Sequence, residues 1–209
     1  MDLLGIFLTV ALVHLLAVMS PGPDFVMLTG NTVRYSRRTG VLTAAGLGLG
    51  ILVHVTYSLV GIGLLVSQSI LLFTIIKYVG AAYLVYIGYK ALRSESSKRA
   101  VARKSARKDI SPRRAIGMGF ITNVTNPKAT LFFLSLFSVV ISPGTPFWLK
   151  AVMSIEMSLV TFAWFALVAV VISHRLVAKR LDSVQHIVER AIGGVLILLG
   201  LRIATTASR

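Results

Sequence analysis

Met19-Ser20-Pro21-Gly22-Pro23-Asp24 closes a stretch, Leu3 to Pro23, without a charged residue; Asn123-Val124-Thr125-Asn126-Pro127-Lys128 opens onto a second, Ala129 to Leu149. Each motif lies inside an apolar segment of about 28 to 30 residues, more than the roughly 20 that a straight helix needs to cross a bilayer core. Proline removes a backbone donor and clashes with the preceding turn, and Pro-Gly-Pro does so twice around a residue that itself weakens a helix. The expected geometry is a helix that stops and restarts, once in each half of the chain. Asn126-Pro127 is a favoured cap and first-turn pair, and either Ser20-Pro21 or Gly22-Pro23 can serve the same way.

The surrounding sequence is that of an all-α, multi-pass membrane protein. Of 209 residues, 56% are hydrophobic and 14% charged, and the run from Thr39 to Ile76 carries no charge. Dividing the apolar stretches at charged and turn-forming residues predicts six spans, near 3–30, 40–66, 70–92, 115–142, 149–174 and 187–206. Ser67-Gln68-Ser69 and Ser142-Pro143-Gly144-Thr145-Pro146 read as short turns between them. No Lys or Arg precedes Arg34, so the first segment lacks the basic start of a cleaved signal and is expected to be retained. Cys is absent, which excludes disulfides, thiolate metal sites and Cys nucleophiles.

Basic residues set the orientation. Arg34, Arg37 and Arg38, ten Lys and Arg from Lys90 to Arg114, and Arg175, Lys179, Arg180 and Arg190 fall in three connections on one side. The positive-inside rule places that side in the cytoplasm and both termini outside. It also accounts for the net charge of +15 without nucleic acid. The Ser- and Lys/Arg-rich residues 94–114 read as a linker between two units, 1–93 and 115–209. Displacing the third span by 112 positions lays Lys77 on Glu189, Ala81-Ala82 on Gly193-Gly194, Gly88 on Gly200 and Lys90 on Arg202; displacing the first by 104 lays Pro23 on Pro127. Three spans per unit would make these inverted repeats, with the first and fourth helices broken, as in many secondary transporters.

Paired breaks at membrane depth are tolerated only where protein or a water-filled cavity satisfies the freed backbone, and they point to a binding site. Candidate residues are Ser20, Pro21, Gly22, Pro23, Asp24, Asn123, Asn126, Pro127 and Lys128. Asp24 in a first helical turn suits the helix dipole, whereas Lys128 at the same kind of end requires an anionic neighbour, either Asp24 or a substrate carboxylate. A permanent pair of the two that merely joins the units is the structural alternative. His14 and His54 are candidates for proton relay, or simply hydrogen-bonded packing residues. Glu156 is expected to be hydrated near the outer interface, and Lys77 and Glu189 to snorkel. The glycines of Gly46-Leu47-Gly48-Leu49-Gly50 and Gly61-Ile62-Gly63 suit close helix contacts, since no Walker-type Gly-Lys-Ser/Thr follows. Neither Gly-x-Ser-x-Gly nor His-Glu-x-x-His is present, so an enzyme is not expected, nor any cofactor. Asp24, Glu156, His14 and His54 are too scattered for a dedicated metal site.

Phe7-Leu8-Thr9-Val10-Ala11 through Asp24, together with Thr122-Asn123, Asn126-Pro127-Lys128-Ala129, Gly80-Ala81-Ala82-Tyr83-Leu84 and Gly88-Tyr89-Lys90-Ala91-Leu92-Arg93, resembles the lysine-exporter superfamily, in its homoserine and threonine efflux branch. The resemblance covers essentially the whole chain. It implies a bacterial inner-membrane exporter of small amino acids, working in exchange for protons. On that reading Asp24 receives the substrate ammonium, and Asn126, Lys128 and a restarted helix receive its carboxylate. Protonation of Asp24 or His14 releases the ammonium, and one unit rocks against the other. Export of a basic amino acid or a metal ion on the same architecture, and a non-transporting scaffold, are the alternatives; self-association into a homo-oligomer is left open.

Overall fold

The computed structural model describes residues 3–68, 70–93, 109–140 and 145–173, with 190, 191, 193–198, 200, 201, 204 and 205 near the C-terminus. Ser69, most of the basic linker, Ser142-Pro143-Gly144, the connection carrying Arg175, Lys179 and Arg180, and Glu189 and Arg202 lie outside the described residues, as do the side chains of Gly61-Ile62-Gly63 and Lys77. All regular structure among the described residues is helical: α1 Leu3–Met19, α2 Pro23–Arg34, α3 Arg37–Gln68, α4 Ile70–Leu92, α5 Pro112–Val124, α6 Pro127–Val140 and α7 Phe147–Ser173. Residues 190–205 are helical where described. By length and composition α3 and α7 can each cross a membrane, and α1 with α2, bent by 54° at their break, can form a third span.

The helix ends follow from local chemistry. The α1/α2 break uses Gly22 in extended conformation as the cap and Pro23 as the first residue of α2, while Ser20 stays on the last turn of α1 with its amide on the Leu16 carbonyl. Asn126 caps α6, its Oδ1 accepting from the Lys128 amide at 3.0 Å. Ser36 caps α3 by accepting from the Thr39 amide, and Ser111 caps α5 ahead of Pro112. Asp109, just before α5, accepts from the hydroxyls of Ser36 (2.9 Å) and Thr39 (3.0 Å). Its charge thereby sits at the positive end of α3.

Helix α3 is the centre of the molecule, packed on α5 and α7 and touching α2, α4 and α6. Glycine permits that density. A methyl group on Gly46 would strike the Ile116 carbonyl and the Phe120 amide, one on Gly119 the Thr43 carbonyl, and one on Gly50 the Asn123 side chain. Gly48 lies likewise against the Ser158 carbonyl of α7, whose hydroxyl donates to the Gly48 carbonyl at 2.8 Å. Small residues let helix backbones touch where lipid offers no hydrophobic drive to association. Leu4, Leu8 and Leu12 on α1 and Val152, Ile155 and Leu159 on α7 remain exposed, as a surface solvated by acyl chains allows.

This crossing gives a prediction with an internal control. Gly119→Ala should lower the thermal stability of the detergent-solubilised protein by about 1–3 kcal/mol through overpacking. Gly117→Ala, on the same helix with nothing within 4 Å of the added methyl, should leave stability unchanged or raise it. A thermal unfolding series on the two variants checks the sign.

Candidate functional site

The two breaks, far apart in sequence, meet. Lys128 on the first turn of α6 reaches across to the end of α1, where its ammonium donates to the carbonyls of Ser20 (2.5 Å), Ala17 (3.3 Å) and Pro21 (3.4 Å). The last carbonyls of a helix have no partner within it, and the negative end of the dipole favours a cation. Lys128 therefore closes α1 by supplying the donors that the Pro-Gly-Pro interruption removed. Gly22 lies against this side chain, 3.2 Å from Lys128 Cδ to where a Cβ would stand. The Lys128 charge also acts on the Asp24 carboxylate.

Asp24, half-buried on the first turn of α2, is held from the other break. The Asn123 side-chain amide donates to Asp24 Oδ2 at 2.8 Å. Asp24 Oδ1 and Asn123 Oδ1 are both buried and lack a well-formed hydrogen bond, although the Asn126 side chain also acts on the Asp24 carboxylate and Asn123 Oδ1 lies against Gly50 of α3. Such under-satisfied acceptors are rare inside proteins and require an explanation, of which a ligand is one. Asn126 is buried beside them.

These groups form one end of a narrow, partly open cavity with an internal volume of about 40 Å³. Ser20, Gly22, Asp24, Asn123, Asn126 and Lys128 supply the polar wall; Val18, Ile51, Phe132, Phe133 and Phe165 supply the apolar one. His14 lines it too, buried, with Nε2 3.3 Å from the Thr161 hydroxyl and its ring tilted against Phe132 and Phe133. A mostly apolar cavity with a few convergent polar groups is the usual form of a small-molecule site.

The other expected residues stand apart from the lining. Pro21, Pro23 and Pro127 do not face the cavity, and the rings of Pro23 and Pro127 are exposed; they make the breaks and leave the walls to their neighbours. His54 also lies behind the wall. Its Nε2 bonds the Asn123 carbonyl at 2.8 Å, its Nδ1 the Tyr57 hydroxyl at 2.5 Å, and its ring stacks on Phe133. A carbonyl can only accept, so in the neutral ring Nε2 carries the hydrogen and Nδ1 accepts from Tyr57. His54 thus satisfies a carbonyl at the end of α5. Glu156 is half-buried, with Oε2 buried and unpartnered. Thr161, Ile51 and the three phenylalanines were not foreseeable, because apolar residues and a lone Thr in a spanning helix carry no signal distinguishing a cavity wall from a core.

The chain matches the family model described as LysE type translocator over residues 15–207. It is 35% identical over 172 residues to the threonine efflux protein of Escherichia coli (strain K12), covering 80% of this chain and 82% of that one. The threonine efflux protein of Salmonella typhi is 34% identical over 168 residues, with the same shares of the two chains. The uncharacterized membrane protein YahN of Escherichia coli (strain K12) is 28% identical over 202 residues, covering 95% of this chain and 88% of that one. No solved structure matches the chain at a significant level. The breadth of the family match and of these alignments makes the protein a membrane transporter and not an enzyme: the chain belongs to the LysE type translocator family.

Proposed function

We propose that this translocator is a secondary-active exporter of a small neutral amino acid, threonine, homoserine or a close relative, driven by protons entering through the same site. The observation that carries the reading is the Asp24 carboxylate in the cavity wall at the meeting point of two broken helices, with Oδ1 buried and lacking a well-formed hydrogen bond. An ammonium group has three donors and one positive charge, and suits that carboxylate. The substrate carboxylate then faces the first turn of α2, which has no side-chain cap and lies at a positive dipole end, in the field of Lys128. Because one carboxylate accepts either the ammonium or a proton, occupancy by one excludes the other, which is the minimum requirement for exchange. The threonine efflux relatives favour this substrate class over basic amino acids.

The architecture we propose is a pair of inverted three-helix repeats with cytoplasmic basic connections and both termini outside the inner membrane. Its support is reciprocal packing. A methyl on Gly88 would meet the Gly193 carbonyl, and one on Gly200 would meet the Ala81 carbonyl. The displacement of 112 positions that relates Gly88 to Gly200 also relates Ala81 to Gly193, so the two contacts exchange under it.

The test is efflux of labelled threonine from proteoliposomes containing the purified protein. Release should accelerate when the trans side is made acidic, and excess unlabelled homoserine should compete. Release indifferent to the gradient would remove the coupling; absence of counterflow with any small neutral amino acid would remove the substrate class.

A further inference from the structure

The cavity has a second polar point that the zwitterion does not use. His14 Nδ1 is buried and without a hydrogen-bond partner, on a residue only 1% exposed, in a stretch of wall otherwise formed by Phe132, Phe133 and Val18. Its position is over-determined, since Nε2 meets the Thr161 hydroxyl and two phenyl rings flank the imidazole. A ring held this way presents Nδ1 at a defined place. His14 lies six residues before Ser20, whose carbonyl holds Lys128, and at ~1.5 Å of rise per residue this puts it roughly 9 Å along α1 from the polar end. Two hydrogen bonds in series with a three- or four-carbon amino acid bridge such a gap.

Resting on the exporter reading above, we propose that His14 Nδ1 is the group that selects a hydroxylated side chain, with Thr161 as its positioning residue. A hydroxyl both donates and accepts, so it satisfies Nδ1 in either tautomer of the ring; a methyl satisfies neither and leaves the nitrogen buried and unpaired. The surrounding phenyl rings accommodate the carbon skeleton of either kind of side chain, so discrimination falls on this single nitrogen. Sites that hydrogen-bond a substrate hydroxyl reject the analogue lacking it far more strongly than apolar pockets reject an added methylene.

The experiment is competition in proteoliposomes between isosteric pairs, threonine against valine and serine against 2-aminobutyrate, on the wild-type protein first. The hydroxylated member should win each pair by at least about tenfold. His14→Leu should bring both ratios near one, and His14→Asn, whose side-chain amide stands close to the place of Nδ1, should restore a preference. Thr161→Val, which frees the ring, should give an intermediate ratio. Equal competition by valine and threonine on the wild type overturns the inference while leaving the exporter reading intact, and so does a ratio unmoved by His14→Leu. A wild-type protein that carries neither these four, nor homoserine, nor any other small neutral amino acid overturns the exporter reading itself.

Discussion

Asp24→Asn is expected to lose transport while keeping the fold. The substitution retains the shape of the side chain and its contact with Asn123, and removes the charge that the proposed ammonium faces. Truncating one partner of a buried charge pair costs about 2–5 kcal/mol, which corresponds to at least ~30-fold weaker substrate binding. It also removes the proton acceptor, so residual efflux should no longer respond to the pH gradient. Stability should move the other way or not at all, because a buried carboxylate oxygen without a well-formed hydrogen bond is a cost in the empty protein. Efflux from proteoliposomes and thermal unfolding on the same preparation check both halves; wild-type transport rates in Asp24→Asn would sink the assignment.

Lys128→Met should lose both. The ammonium donates to three carbonyls at the end of α1, and a thioether donates to none. Hydrogen bonds from a charged donor contribute about 1.5–3 kcal/mol each when the alternative is an unsatisfied buried group, so the expected destabilisation is on the order of 3 kcal/mol or more. Lys128→Arg should not rescue, because the space beside Gly22 is already close to van der Waals contact and a planar guanidinium does not converge its donors on three oxygens from one turn. A thermal midpoint equal to wild type in Lys128→Met would show that water or another donor closes α1 equally well. The contrast between the two substitutions separates a residue that receives the substrate from one that keeps the receiving site in shape.

What was legible beforehand was the backbone, and what was not was the crossing of elements. Pro21, Pro23 and Pro127 announced two interruptions because proline acts within its own turn, and Asn126 announced its capping role for the same reason. The choice of Gly22-Pro23 over Ser20-Pro21 as the restart was open, since both pairs satisfy the same local rule. Lys128 at a helix start requires an anionic neighbour, and its charge does act on Asp24; what no sequence rule foretells is that its ammonium also reaches from α6 to backbone carbonyls at the end of α1, more than a hundred residues away. His54, which the sequence allows as either a proton relay or a hydrogen-bonded packing residue, bonds the carbonyl of Asn123, again a contact between distant segments. Phe132, Phe133, Phe165 and Thr161 were indistinguishable from any other membrane-buried residues until the helices enclosed a space.

The glycines along α3 decide where the molecule can part. Backbone rests on backbone at Gly46 against α5, at Gly119 against α3 and at Gly48 against α7, leaving no soft layer of long side chains to yield, and close-packed protein transmits displacement as a solid. Helix α3 comes from the first half of the sequence, α5 and α7 from the second. A swing of one half against the other would have to pull this joint open on every cycle. Movement confined to the two interruptions, where α1 turns into α2 and α5 into α6, would leave this three-helix keel intact.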